Sequence, residues 1–189
     1  MRHFNNLILA SKSPRRKQLL EDVGLDFEVK TIDFDETFPE DMDAMKVAEF
    51  LAIEKNKVHR EAFVKGTIIT SDTIVLFNNR ILGKPKDRAE AKSVLTLLSG
   101  KIHQVISGVC ISDGNKQISF SNLTEVKFRH LDEEEISHYI KIAPPLDKAG
   151  SYGIQDWIGL IGVEWIKGSY YNVVGLPVDE VYDVLKNEF

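Results

Sequence analysis

The chain has 189 residues, 43% of them hydrophobic, which is enough to bury one sizeable core. Its net charge of −5 argues against a broad basic surface for DNA or RNA, because such binding depends on neutralising many phosphates. A small polyanion in one local basic cleft remains compatible with it. No apolar run reaches the roughly 18 residues of a membrane span, and residues 1–4 show no signal-peptide hydrophobic region. The histidines lack metal-ligand spacing.

The first elements are a short strand and a helix. Residues 7–9 form an apolar run that predicts a buried strand. Ser13 and Pro14 are typical of an N-cap and a first helical position, and Gly24 ends the helix.

Four cations surround this helix start. Arg15 and Arg16 lie in the first turn, where the helix dipole is already positive, and Lys12 and Lys17 add to the repulsion. These charges either extend into water or hold an anion. Free N–H groups, hydroxyls and guanidinium groups at a helix start suit a phosphate or polyphosphate, so the second interpretation predicts a phosphate site.

An acidic connection and a second helix follow. Residues 27–30 alternate like a strand, and residues 31–43 carry six carboxylates that either form a solvated loop or include one that holds a divalent ion. Residues 44–60 predict a helix with an apolar face. Lys55 belongs to that face, so it either extends outward along its apolar stem or points into a cleft to meet an anion.

Residues 67–77 form the strongest predicted strand, and Asp72 lies in its middle. Asp is disfavoured inside a β-branched strand, and such a departure from local preference often marks a functional site. A turn at Asn78 and Asn79 returns the chain to Lys84, which we expect near Asp72 unless residues 83–85 are simply a surface loop.

The remaining elements complete a mixed α/β pattern. Asp87 caps a helix with Glu90 as its capping-box partner. Cys110 is the single cysteine of the sequence and cannot form an internal disulfide, which fits a reducing cytoplasm. It lies in an apolar strand, where we expect a buried side chain rather than a nucleophile. We predict one domain over residues 1–189, a mixed twisted sheet with flanking helices and two lobes around a central cleft. The other predicted elements are strands at 103–112, 117–129 and 158–167, a turn at 172–177, and helices from 131 and over 178–187.

Together these residues predict phosphate anhydride hydrolysis. Cations neutralise phosphate oxygens, and a carboxylate holds a metal or deprotonates water. Neither a GxxxxGK[ST] nor a GxGxxG motif is present. The candidates are Ser11, Ser13, Arg15, Arg16, Lys55, Asp72 and Lys84.

The sequence resembles the Maf (septum formation) family of nucleoside triphosphate pyrophosphatases over nearly its whole length. The matching segments are LILASKSPRRKQLL, SDTIV, ILGKPKDRAEA, LSGKIHQVISGV, LDKAGSYGIQ and GSYYNVVGLP. The resemblance implies a Maf/ITPase-like fold and cleavage between the α- and β-phosphates, with a divalent cation, Mg²⁺ or Mn²⁺. The products would be a nucleoside monophosphate and pyrophosphate.

The resemblance also implies roles for individual residues. Asp72 would activate water as a general base or metal-associated carboxylate, and Glu36 would help to hold the metal. Gln155 would lie in the nucleotide pocket. The phosphates would be bound and polarised by Ser11, Arg15, Arg16, Lys55 and Lys84.

The branch of the family that acts on dTTP and UTP is similar to this chain at Arg15, Thr73 and Gln155. A glutamine amide offers both a donor and an acceptor to a pyrimidine edge. The 7-methyl-GTP branch looks different at Thr73 and Gln155. Asp156 and Trp157 depart from the family, in which smaller residues are commoner, so we expect a reshaped base pocket.

The main hypothesis is a cytoplasmic house-cleaning pyrophosphatase with no nucleic-acid or membrane partner. Its alternative is a nucleotide-binding regulator of cell division. Nucleic-acid binding through Arg15 and Arg16 is opposed by the acidic pI of about 5.6 and by the lack of neighbouring aromatic residues. A homodimer is expected only from the general frequency of such assemblies.

Overall fold

The computed structural model describes residues 6–189. The prediction about a signal peptide at residues 1–4, and His3 with it, lies outside the described residues. None of the helices within residues 6–189 is both long and apolar enough to cross a membrane.

The described residues form strands and helices that follow one another along the chain. These elements are β1 (Leu7–Leu9), α1 (Pro14–Asp22), β2 (Glu28–Val29), α2 (Ala44–Ala62), β3 (Thr67–Phe77), β4 (Arg80–Leu82), α3 (Arg88–Leu98), β5 (Ile102–Ser112), β6 (Gln117–Phe128), α4 (Glu133–Ile142), a 3₁₀ turn (Ala149–Ser151), α5 (Trp157–Gly162), β7 (Val163–Lys167), α6 (Tyr170–Val174) and α7 (Val178–Glu188).

The strands form one mixed sheet. Along the sheet their order is β2-β1-β3-β5-β6-β7, with β4 paired to β3. Strand β1 is parallel to β2 and β3, whereas β4 is antiparallel to β3 and β7 is antiparallel to β6. This confirms the predicted mixed α/β sheet with flanking helices.

Contacts divide the chain into two compact units, each built from separate segments. The first unit comprises the residues up to 72, residues 107–122 and residues 175–189. The second comprises residues 73–106 and 123–174. The single domain over residues 1–189 and the cleft between two lobes stay predictions.

In the first unit, helix α2 packs closely on strand β5. A Cβ added to Gly108 would lie 2.2 Å from the backbone of Ala48, so this approach requires glycine. The predicted apolar face of α2 is confirmed in its first half. In the second half the buried residues are Asn56 and His59, whereas Val58 is only half-buried.

Asn56 fixes helix α2 to two strands. Its Nδ2 donates to the backbone oxygen of Ile68 at 3.3 Å and to that of Cys110 at 3.2 Å. Its Oδ1 accepts a hydrogen bond from Ser112 Oγ at 2.6 Å. Because a buried amide is costly unless it is hydrogen-bonded, these partners specify one position of the helix on the sheet.

The second unit has its own apolar core. Fully buried side chains of α3, β6 and α4, among them Leu95, Phe128 and Tyr139, pack there together with Ile158. His103 lies against Phe128 and shares a 2.7 Å hydrogen bond with the hydroxyl of Tyr152.

Three local predictions for this unit were wrong. Residues 158–162 belong to helix α5 rather than to a strand, because Trp157, Ile158 and Ile161 pack on the core at helical spacing. Residues 170–174 form α6, where the amide of Asn172 donates to the oxygen of Val105 at 3.0 Å. The third is the capping box of α3, since the side chain of Glu90 accepts from Lys86 N–H rather than from the N-cap.

Candidate active site

The start of helix α1 has the predicted local structure. Ser13 is the N-cap, and its hydroxyl accepts the N–H of Arg16 at 3.5 Å. The backbone N–H of Ser13 donates to Ser11 Oγ at 3.2 Å, and Ser11 is buried. Both predicted serines therefore shape the helix start, with Arg15 half-buried in its first turn.

Two of the four cations belong to surface ion pairs. Lys12 pairs with Asp33 at 2.5 Å, and both side chains are exposed. Lys17 pairs with Glu21 one helical turn later, at 3.4 Å. Exposed pairs of this kind contribute little, so the surface interpretation applies to these lysines and the arginines remain as site residues.

Arg16 joins three parts of the first unit. Its Nε donates to the backbone oxygen of Gly175 at 2.8 Å, and its Nη1 donates to Ser71 O at 2.7 Å and to Ser11 Oγ at 3.3 Å. Burial lowers the pKa of the Arg16 guanidinium, and the negative charge of Asp72 opposes that shift. The guanidinium is thus oriented by the backbone beside the predicted catalytic carboxylate.

Lys55 connects the two predicted carboxylates. Its Nζ donates to Asp72 Oδ2 at 2.7 Å and to Glu36 Oε1 at 3.1 Å. The side chains of Lys55 and Asp72 are each only 12% exposed, whereas that of Glu36 is 43% exposed. Of the two alternatives for Lys55, the inward orientation is confirmed and extension into solvent is wrong.

The acidic loop that carries Glu36 is anchored to helix α2 by a residue that the sequence analysis missed. His59 Nε2 accepts the N–H of Ile32 at 3.0 Å, and its Nδ1 donates to the backbone oxygen of Lys55 at 2.7 Å. Burial lowers the pKa of His59, which favours the neutral ring that this pairing requires. A buried polar residue four positions after Lys55 is a weak signal in a sequence, because its partner lies in another element.

The carboxylates of Glu36 and Asp72 fit a divalent cation. One oxygen of each carboxylate lies within 3.1 Å of Lys55 Nζ, so both carboxylates already contact the same positive charge. Among the described residues no group of three or more His, Cys, Asp or Glu side chains could hold a metal. Two carboxylates completed by substrate phosphates and water match the coordination that Mg²⁺ prefers.

The other predicted residues lie in the second unit. Thr73 follows Asp72 in β3 and is half-buried, and Lys84 is exposed just beyond the pairing of Val75 with Leu82. Strand β4 ends at Leu82, and the position of Lys84 near Asp72 stays a prediction. Gln155 is exposed, and its Nε2 donates to Asp156 Oδ1 at 3.1 Å.

Cys110 is excluded as a nucleophile. The residue is fully buried, and burial raises the pKa of its thiol to about 12. The prediction of a buried apolar role is confirmed.

Comparisons with known proteins identify the family. Residues 6–188 match the family model described as Maf-like protein. The chain is 50% identical to the dTTP/UTP pyrophosphatase of Phocaeicola vulgatus, over 95% of this chain and 94% of that protein. It is 46% identical to the dTTP/UTP pyrophosphatase of Parabacteroides distasonis and 45% identical to that of Porphyromonas gingivalis W83, each over 96% of this chain and at least 93% of the relative.

Among solved structures, the Staphylococcus aureus Ham1 protein is similar with a TM-score of 0.49 and 16% identity, over 66% of this chain and 72% of that one. The assignment rests on the family model and the curated relatives, which span nearly the whole sequence. The chain belongs to the Maf-like protein family.

Proposed function

We propose that this protein hydrolyses dTTP and UTP to the nucleoside monophosphate and pyrophosphate. The observation that carries the proposal is the position of Lys55, which lies between the carboxylates of Asp72 and Glu36. Arg16, in the first turn of α1, donates to the backbone oxygen of Ser71, the residue before Asp72, at 2.7 Å, which supports including the start of α1 in the proposed site. The names of the relatives support the substrate class.

In the proposed reaction, water attacks the α-phosphorus of the nucleotide. A bond forms between the water oxygen and phosphorus, the bond to the bridging oxygen breaks, and its electron pair leaves with pyrophosphate. Asp72 receives the proton of the water as general base. The negative charge of the phosphates is neutralised by Lys55, Arg15, Arg16 and Lys84. The start of helix α1, which carries the two arginines, is held by Ser11 and Ser13.

We further propose that Glu36 and Asp72 bind Mg²⁺ or Mn²⁺ together with the substrate phosphates. A divalent cation there would withdraw charge from the phosphate oxygens and lower the barrier to attack. Lys55 would then exchange its contact with Asp72 for one with a substrate phosphate, since its ammonium can pair with a carboxylate or with a phosphate.

For base selection we propose that Arg15, Thr73 and Gln155 contact the pyrimidine. An amide can pair with uracil or thymine through its donor and its acceptor together. We place the activity in the cytoplasm, where it would remove excess or modified pyrimidine nucleotides.

The test is pyrophosphate release from dTTP, UTP, CTP, GTP, ATP and 7-methyl-GTP with Mg²⁺ or Mn²⁺, with the second product identified by chromatography. We expect monophosphate from dTTP and UTP, and loss of turnover when the metal is chelated. Asp72→Asn should lower kcat by about 10²- to 10⁴-fold, the usual contribution of a general base. Asp41→Asn, which changes an exposed carboxylate in the same acidic loop, is the matched control.

Failure to turn over any nucleotide, while dTTP or UTP still binds, would overturn the enzymatic proposal and favour a nucleotide-binding regulator. Turnover of purine nucleotides alone would overturn the substrate assignment but not the reaction.

A further inference from the structure

The amide of Gln155 is held by the carboxylate of the next residue. Gln155 Nε2 donates to Asp156 Oδ1 at 3.1 Å. The other oxygen of Asp156, Oδ2, accepts the hydroxyl of Tyr139 at 2.9 Å and lies 3.6 Å from Lys148 Nζ. Asp156 therefore contacts Tyr139 and Lys148 through Oδ2 and binds the amide of Gln155 through Oδ1.

The support for Asp156 is itself rigid. Tyr139 is fully buried, and its oxygen accepts the N–H of Gly153 at 3.3 Å. Burial and the negative charge of Asp156 raise the pKa of Tyr139, so its hydroxyl remains a donor.

The side chains of Gln155 and Asp156 come close to the backbone at Gly153. A Cβ there would lie 2.6 Å from Gln155 Nε2 and 2.7 Å from Asp156 Oδ2. The ends of both side chains therefore lie over the glycine, which leaves room for them there.

The orientation of an amide decides which pyrimidine it accepts. Turning the amide by half a revolution exchanges its acceptor oxygen and its donor nitrogen. A glutamine that can turn pairs either with uracil and thymine, which offer N3–H beside a carbonyl, or with cytosine, which offers an unprotonated N3 beside an amino group. Selectivity for uracil and thymine over cytosine therefore requires an amide held in one orientation.

A carboxylate supplies that restraint. An ionised carboxylate only accepts hydrogen bonds, so Asp156 favours the orientation with Nε2 towards it, and the turned amide would bring two acceptor oxygens together. Oε1 and the second N–H of Gln155 then remain for the base. Oε1 can accept N3–H of uracil or thymine, whereas the lone pair on N3 of cytosine would repel it.

We propose that Asp156 is a positioning residue that selects uracil and thymine over cytosine by locking the amide of Gln155. This inference rests on the proposed function, in which Gln155 contacts the base.

The experiment compares kcat/KM for UTP and CTP in the wild-type protein and in Asp156→Asn. Asparagine can donate as well as accept, so it permits both orientations of Gln155. We expect the UTP to CTP ratio to fall by at least about tenfold, mainly through faster CTP hydrolysis, as loss of a charged hydrogen bond implies. Asp147→Asn is the matched control. Asp147 pairs with the same Lys148 at 2.9 Å, and its replacement by asparagine removes the same negative charge.

A purely structural role for Asp156 would lower both activities together and leave the ratio within about twofold, which would overturn the proposal. Should Asp156→Asn fail to fold, 3-methyl-UTP tests the wild-type protein directly, since its N3 carries no proton. Hydrolysis of 3-methyl-UTP as efficiently as UTP would also refute the lock, and a loss of at least about tenfold would support it.

The two proposals fail differently. Absence of pyrophosphate release from dTTP and UTP by the wild-type protein would refute the proposed function itself. Release from UTP with equally efficient release from CTP would refute only the lock.

Discussion

Replacing Lys55 with methionine should destabilise the folded protein, because it removes the positive charge that pairs with the carboxylates of Asp72 and Glu36. Methionine keeps most of the apolar stem but removes the ammonium that lies 2.7 Å from Asp72 Oδ2 and 3.1 Å from Glu36 Oε1. The carboxylate of Asp72 is only 12% exposed, so water can replace little of what is lost.

Removing one partner of a buried ion pair generally costs about 3–5 kcal/mol in the free energy of unfolding. We expect about 3 kcal/mol for Lys55→Met, at the lower end, because Arg16 still acts on Asp72 and Glu36 can be solvated. Asp72→Asn should cost less, about 1–2 kcal/mol, because Lys55 keeps its bond to Glu36. The double variant should be more stable than Lys55→Met by about 1–2 kcal/mol, because no uncompensated charge remains at Asp72.

The assay is urea unfolding of the wild-type protein, Lys55→Met, Asp72→Asn and the double variant, without nucleotide or divalent metal. Lys57→Met is the control, since Lys57 pairs with Glu54 on the surface of the same helix, and we expect a change below about 0.5 kcal/mol. A double variant whose loss equals the sum of the two single losses would refute the reasoning, because it would show that Lys55 and Asp72 do not interact energetically.

Three further predictions concern the cores and their titratable groups. Burial holds the pKa of His103 at about 3, so below about pH 6.5 only the unfolded chain takes up this proton, and the free energy of unfolding should fall by about 1.4 kcal/mol per pH unit from this residue. His103→Phe should remove that part of the slope in urea unfolding measured from pH 7 to pH 5. Cys110, with its thiol pKa raised to about 12, should react with a thiol reagent at pH 8 only after unfolding. Gly108→Ala should lower the free energy of unfolding by more than about 3 kcal/mol, because the new methyl group would meet the backbone of α2 at 2.2 Å.

Each of these three predictions has a control or a result that would contradict it. An unchanged pH slope in His103→Phe would show that this imidazole is protonated equally in both states. Modification of Cys110 at the same rate in native and unfolded protein would contradict its burial. Gly83→Ala is the control for Gly108→Ala, since nothing lies within 4 Å of its added Cβ and we expect almost no change in stability.

Short-range patterns predicted much of this protein correctly. The strand at residues 7–9, the cap at Ser13 and the helix that follows depend on neighbours within a few positions. The strand at residues 67–77 is also visible locally, as is the departure from strand preference at Asp72, whose catalytic role stays a prediction.

Other features depended on tertiary packing. Lys55 meets Asp72 and Glu36 across 17 and 19 positions of the chain, and no spacing rule decides whether such a lysine turns inward. The short apolar sequence of helix α5 suits a strand as well as a helix, and the packing of Ile158 on the core decides between them.

The sequence by itself determined the family and the mixed α/β class, because these are carried by ordered motifs and local propensities. Only the tertiary structure decided which charges meet. His59 anchoring the acidic loop and Asp156 restraining Gln155 are examples, because a hydrogen bond requires that two groups be brought within about 3 Å, which the packed fold determines.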